Sequence, residues 1–251
     1  MYEKFSFCQR ELIYLEKTES TNRDIKKLIC EKNEPVFAVI AAKSQSGGRG
    51  RLGRSFFSPA GGLYFSFSLP LTGKEKNIPF ITLVSGFAVS LVIEELTGLE
   101  TKIKWPNDIY INGRKLGGIL CELVSGKSLT AVVGIGINLK VSAAEIPTEL
   151  SEIMTSLSIE GAVLPEKSEL IKGICETVDH LIYNENVLSD VSEKLMSALR
   201  ERSYSIGKKV RYNINGTVSE GVVTDITETG AAVMTFADGS VREIFCGEIT
   251  Q

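Results

Sequence analysis

Three arginines, Arg49, Arg51 and Arg54, stand among four glycines, Gly47, Gly48, Gly50 and Gly53, within residues 43–58. Glycine reaches positive φ at no steric cost, so such a run predicts a loop rather than a helix or a regular strand. Bare backbone N–H groups and guanidinium forks both suit anionic oxygens, phosphate above all. In an extended loop, residues two apart project to the same side, so Arg49 and Arg51 can converge on one group. A basic surface loop, or an Arg-Gly segment that binds RNA, has the same composition. The run lacks the Gly-Lys-Ser/Thr ending and following helix of a P-loop.

A second polar set lies in residues 103–122, where Lys104, Asn107, Asp108 and Lys115 flank Asn112-Gly113. Asn-Gly between strand-like runs predicts a hairpin, and Pro106 predicts an edge or a break. The four polar residues then fall at strand ends and turns, where they can face a shared cleft or simply be solvated. Gly117 and Gly118 permit close approach of a ligand or another backbone. Residues 129–139 predict a buried strand that carries Gly134 and Gly136 and ends at Asn138. Two glycines on one face predict either a flat ligand lying there or a helix crowding the sheet. Finally, Ser20 or Thr21 can cap a helix from Ile25 onward, and with Asn22 could bind a polar ligand at free N–H groups.

These residues need elements to hold them. Residues 5–14 alternate weakly and predict a first strand. Pro35 ends the helix after Thr21, and the wholly apolar run 36–42 predicts a buried strand feeding the arginine loop. Residues 63–69 alternate with period two and predict a strand; 78–97 predict a helix stopped by Gly98. Residues 143–203 predict mostly helix, parted at Pro165, with Leu170, Ile174, Val178 and Leu181 as a core stripe. From Ser205 the pattern changes to short strands, 210–214, 217–226, 231–236 and 241–245. Asn215-Gly216, Thr229-Gly230 and Asp238-Gly239 are turn signals between them. That spacing predicts a small SH3-like β-barrel, with a boundary near Tyr204 and units 1–203 and 204–251.

Composition removes other classes. A net charge of −3 over 251 residues argues against general nucleic-acid binding as the main task. Five scattered cysteines give no zinc or redox spacing and fit a reduced, cytoplasmic protein. Residues 1–10 are not a signal peptide, and no apolar run approaches membrane-spanning length. The single histidine, His180, is expected on a helix surface, which nearly removes Ser-His-Asp hydrolysis.

Gly-Gly-Arg-Gly-Arg-Leu-Gly-Arg, Lys-Trp-Pro-Asn-Asp, Arg-Lys-Leu-Gly-Gly-Ile-Leu and Gly-Ile-Gly-Ile-Asn occur in that order. Together they resemble biotin protein ligase, also called biotin–[acetyl-CoA-carboxylase] ligase, over nearly the whole chain. The resemblance implies an α+β, class II synthetase-like fold with a mixed or antiparallel sheet and packed helices, plus the small barrel. It implies activation of biotin by Mg-ATP to biotinyl-5′-AMP, then transfer to a lysine of a biotin carboxyl carrier domain. Carried over by motif position, the biotin set is Ser20, Thr21, Asn22, Gln45, Gly48, Arg49, Gly50, Arg51, Lys115, Gly118 and Gly136. The ATP and adenylate set is Arg49, Arg51, Arg54, Phe56, Lys104, Asn107, Asp108, Lys115 and Asn138. Lys115, with Arg49 and Arg51, is implied to be catalytic. Magnesium is implied to come with ATP near Asn107 and Asp108, without a dedicated site. Phe56 stands where several members of the family carry tryptophan. The stretch before Ser20 is too short for the winged helix of repressor-type relatives, so neither DNA binding nor repression is expected. The resemblance implies a homodimer, and the lack of a long apolar run implies no membrane partner. Lipoate or octanoate ligation on a related fold is the nearest alternative, and a non-enzymatic ligand-binding regulator is another.

Overall fold

A strand apolar at every position needs cover on both faces. In the computed structural model, which describes residues 5–7, 10–32, 36–71, 78–125, 128–184, 190–214 and 217–250, the run after residue 36 has it. The elements begin with β1 (Phe5–Phe7), β2 (Arg10–Thr18), α1 (Thr21–Lys32), β3 (Ala38–Gln45), β4 (Leu63–Pro70) and α2 (Ile78–Thr97). There follow β5 (Lys102–Lys104), β6 (Asp108–Ile111), β7 (Arg114–Ser125), β8 (Leu129–Ile137), α3 (Lys167–Asp179) and α4 (Glu193–Glu201). The chain ends with β9 (Lys209–Ile214), β10 (Thr217–Ile226), β11 (Ala232–Phe236), β12 (Val241–Ile244) and β13 (Glu248–Thr250).

The large sheet has eight strands in the order β1-β2-β3-β4-β8-β7-β6-β5. Its β2–β3 pair is parallel and its other pairs are antiparallel. Val39 and Ala41 join the main core with residues of α2 and α3, while Ala38 and Ile40 join a smaller cluster with Ile25 and Ile29 of α1. The alternation in β4 sorts residues between these two faces rather than between core and solvent. Leu63, Phe65, Phe67 and Leu69 face the main core, and Tyr64, Ser66 and Ser68 are buried as well.

Helix α2 takes the predicted bounds. By length and composition alone it could cross a membrane, which corrects the expectation that no run approaches that length. It is largely buried between the sheet and α3, the position of a core helix. The stripe Leu170, Ile174, Val178 and Leu181 is buried, and His180 is exposed at the end of α3.

Residues 143–166 are not helical as predicted. They form turns with one short 3-10 segment, Thr148–Leu150. Their backbone is used elsewhere: Lys115 N donates to Ile153 O at 2.7 Å and Thr155 N to Lys115 O at 2.9 Å, tying this segment to the start of β7. The arginine loop is not uniformly extended either. β3 runs on to Gln45, and Arg51–Gly53 forms a 3-10 turn with Leu52 at φ 55°.

The C-terminal strands form a five-stranded antiparallel sheet, β12-β11-β10-β9-β13. β13 had no strand signal of its own. Gly230 and Gly239 sit at φ 80° and 79°, as their turns require. Pro35 and Asn215-Gly216 lie outside the described residues. The edge of β5 is covered: Ile103 N donates to Arg202 O and Tyr204 N to Ile103 O, both at 2.8 Å.

Candidate active site

Cross-strand pairing builds a floor on the α1 side of the large sheet. One row runs Ala42, Tyr64, Gly136, Gly118, Asp108; the next runs Ile40, Ser66, Gly134, Leu120. Three glycines in two adjacent rows leave a trough. A β-bulge makes the trough useful. β6 and β7 shift register between Ile109 and Tyr110, so that Tyr110 pairs with Lys115 while Ile109 pairs with Gly117. Lys115 and Gly118, three apart, would face opposite ways in a regular strand. The extra residue puts both on the cleft side.

The cleft above this floor is lined by the start of α1, by Gln45, by the arginine loop, by the β5–β6 turn and by β7 and β8. Ser20, Thr21, Asn22, Gln45, Arg49, Gly50, Arg51, Arg54, Phe56, Lys104, Asn107, Asp108, Lys115, Gly118 and Gly136 all line it. Cationic groups from three separate segments thus meet in one hollow. Lys115 Nζ lies 2.7 Å from Asp108 Oδ1 and 5.9 Å from the centroid of the Phe56 ring. Lys104 Nζ sits over the Tyr110 ring at 5.1 Å and donates to its hydroxyl at 3.3 Å. Burial, then the neighbouring Asp108 carboxylate and Tyr204, pushes the Tyr110 phenol up to about 12, so it stays protonated. Arg51 Nη1 reaches Asn107 Oδ1 at 3.4 Å, a long contact.

Two expected residues do not line the cleft. Gly48 is buried in the loop's own closure, where a Cβ would lie 2.5 Å from Ser58 Oγ and 2.6 Å from Phe56 O. Asn138 follows the end of β8 and turns away. Its Nδ2 donates to Thr155 O at 2.9 Å, and its Oδ1 is buried with no hydrogen-bond partner among the described residues. Of the two readings of these glycines, the crowding helix holds at Gly134, which faces Asn22 of α1, while Gly136 lies under the Phe56 ring. A Cβ on Gly136 would lie 2.6 Å from the Phe56 ring, and one on Gly134 would lie 2.0 Å from Asn22 Oδ1.

Sequence reasoning missed several contributors. Leu52, Ser55 and the C-terminal residues Gly247 and Ile249 line the cleft. Behind it, Ser66, Ser58 and Glu122 hydrogen-bond the side chains that do. A serine within the apolar strand Leu63–Pro70 was a visible signal for Ser66. Nothing local marks Gly247.

A mixed sheet covered by helices, bearing one cleft with a glycine floor and converging cations, defines an α+β domain with a cationic cleft on its sheet. The profile of the Biotin/lipoate A/B protein ligase family matches residues 14–138, and the chain belongs to that family. It is 38% identical over 152 residues to the bifunctional ligase/repressor BirA of Bacillus subtilis, covering 59% of this chain and 46% of that protein. The chain thus spans just under half the length of that relative. It is 27% identical over 230 residues to the biotin--[acetyl-CoA-carboxylase] ligase of Mycobacterium tuberculosis, covering 88% and 82% of the two chains. The solved structure of biotin protein ligase from Aquifex aeolicus in complex with biotin and ATP is similar, with TM-score 0.81 and 30% identity over 95% of this chain and 97% of that one.

Proposed function

We propose that this chain is a biotin protein ligase. Biotin's carboxylate oxygen attacks the α-phosphorus of ATP, the bond to the bridging oxygen breaks, and pyrophosphate leaves. The amine of a carrier-domain lysine then attacks the acyl carbon, loses a proton, and AMP leaves. One observation carries the reading: Arg51, Lys104 and Lys115, distant in sequence, line the same cleft. Two anions react only if positive charge offsets their repulsion where it peaks. Lys115, half-buried at the glycine floor, holds the carboxylate and phosphate oxygens, and Arg49 and Arg51 close over them. Arg54, Phe56, Lys104, Asn107 and Asp108 form the nucleotide side. Ser20, Thr21, Asn22, Gln45, Gly50 and Gly118 hold biotin, and Gly136 makes room for the Phe56 ring.

Magnesium fits this cleft as a companion of ATP. Among the described residues no group of three His, Cys, Asp or Glu could hold a metal. Asp108 and Asn107, beside the cations of the nucleotide side, would offer side-chain oxygens to an ion that keeps its phosphate and water ligands. Bound there, the ion neutralises phosphate charge. The division into 1–203 and 204–251 belongs to the same reading, with the small sheet as an SH3-like unit, and so does a homodimer.

Exchange of pyrophosphate into ATP tests the first step. It should depend on biotin and not on lipoate. Mass spectrometry of a carrier domain incubated with protein, biotin and Mg-ATP should show one added biotin. Exchange driven by lipoate instead would move the chain to the other branch of its family, and none with either would end the ligase reading.

A further inference from the structure

Behind the cleft, a chain of hydrogen bonds has a direction that can be read from its two ends. Asn22 Nδ2 donates to Glu122 Oε2 at 2.7 Å and to Leu120 O at 3.2 Å. Both partners are acceptors only, so the Asn22 amide has one orientation and its Oδ1 must accept. Ser66 Oγ lies 2.6 Å from that Oδ1 and 2.7 Å from Thr21 Oγ1. Ser66 has a single proton, and Asn22 Oδ1 has none to offer. Both short contacts hold a proton only if Ser66 donates to Asn22 and Thr21 donates to Ser66. The 3.2 Å contact between Thr21 Oγ1 and Gln45 Oε1 is then left without one. Gln45 is fixed from the other side. Its Oε1 accepts from Thr21 N at 2.9 Å, its Nε2 donates to Ser58 Oγ at 3.1 Å, and Ser58 donates to Phe56 O at 2.9 Å.

We infer that Ser66 and Glu122, neither of which lines the cleft, are positioning residues that fix the polarity of its floor: Thr21 meets a ligand as an acceptor, and Gln45 meets it with its spare N–H as a donor. A floor of that polarity selects a flat head group presenting N–H beside C=O, such as a cyclic urea. It penalises an isostere with oxygen in place of N–H, because two lone pairs then face each other in a desolvated site. This rests on the biotin reading and extends it to two residues outside the motifs that carry it. Glu122 is suited to the task as a carboxylate that cannot donate, and Lys26 Nζ holds its other oxygen.

The test uses the full chain and steady-state adenylation. Ser66→Ala and Glu122→Ala should raise KM for biotin by about tenfold or more, the effect of leaving a buried polar group unpaired. KM for ATP should stay within about twofold in both, since the nucleotide side is untouched. Glu122→Gln leaves one oxygen for two donors, Asn22 Nδ2 and Lys26 Nζ, so its KM for biotin should fall between those of the parent and Glu122→Ala. Wild-type protein should bind at least one of the two cyclic carbamate analogues, each with one ureido N–H replaced by ring oxygen, about tenfold or more weaker than biotin. Ser66→Ala, which frees the Thr21 proton, should narrow that gap. Folded variants with unchanged KM for biotin, or with both KM values raised together, would overturn the inference, as would carbamates that bind like biotin. If the variants do not fold, the wild-type carbamate comparison decides. If wild-type protein binds no biotin, the ligase reading fails first and this inference with it.

Discussion

Lys115 owes its place to a bulge, and its chemistry to its neighbours. Its ammonium is tethered to Asp108 at 2.7 Å and sits about one third exposed at the edge of the glycine floor. A charge so placed can swing onto an incoming carboxylate–phosphate junction at little cost to the fold. Lys115→Ala should therefore lower the single-turnover rate of adenylate formation by about 100- to 1000-fold, the usual effect of removing one group aimed at developing charge. It should cost no more than about 1 kcal/mol of stability, because a partly exposed ion pair contributes little. A fall of less than about tenfold would place the main electrostatic role on Arg49, Arg51 or Lys104 instead. Residue type and spacing made Lys115, Lys104 and the arginines candidates beside solvated or RNA-binding readings, and the resemblance carried by four motifs in order favoured the cleft. Gly48 and Asn138 stay out of the cleft lining for local reasons: Gly48 is closed in by Phe56 and Ser58 of the loop's own return limb, and the turn after β8 aims Asn138 at Thr155, neither of which has a sequence mark.

The arginine loop is more ordered than its glycines suggest. Gly50 N donates to Arg54 O at 2.7 Å and Phe56 N to Gly48 O at 2.9 Å, so residues 48–56 fold back as a hairpin with Leu52 exposed at its tip. Its return limb is pinned by Tyr64, a fully buried residue of β4 whose hydroxyl donates to Pro59 O at 2.9 Å. With arginines at its tip and its stems fixed, the loop should act as a hinged cover. Biotin with Mg-ATP should slow tryptic cleavage after Arg51 and Arg54 by about tenfold or more, and equal rates with and without ligand would count against closure. The pin also titrates. Burial first, and the Glu145 carboxylate second, raise the Tyr64 phenol above its ordinary value, and Tyr110 is raised to about 12. Both groups keep their protons in the fold at a pH where the unfolded chain has lost them. Their contribution is complete below about pH 10 and is lost as pH rises toward the folded values. The urea midpoint should fall steadily above about pH 10, and Tyr64→Phe should flatten that fall while costing about 1 kcal/mol at neutral pH. An identical alkaline slope in the variant would show that Tyr64 does not titrate with folding. Elements with a strong period, such as α2 and β4, were legible in the sequence. Residues 143–166 were not, because their apolar residues are buried by turns and by backbone pairing to β7, which leave no helical or strand period.

The small C-terminal sheet is joined to the large one at the site itself. Gly247 and Ile249 line the cleft beside the arginine loop. Trp105, fully buried, donates its indole N–H to Gly230 O at 2.9 Å and its backbone N–H to Ser205 Oγ at 3.0 Å. The strand signals of the C-terminal region were legible, but its docking was not, since contacts between units leave no local pattern. This arrangement has a thermodynamic consequence. A unit held only by a flexible linker unfolds on its own, whereas one that accepts the indole N–H of a buried tryptophan and helps line the cleft unfolds with its neighbour. Trp105 is the single tryptophan of the chain, so its fluorescence reports the junction alone, while far-ultraviolet circular dichroism reports both sheets. The two probes should give coincident urea transitions. Replacing Trp105 with Phe leaves Gly230 O without its donor and should cost about 1–3 kcal/mol. Because the junction also forms part of the cleft, the same change should weaken ligand binding in protein that is still folded. Early loss of the fluorescence signal, with most of the dichroism retained and ligand affinity unchanged, would show that the small sheet is a separate passenger.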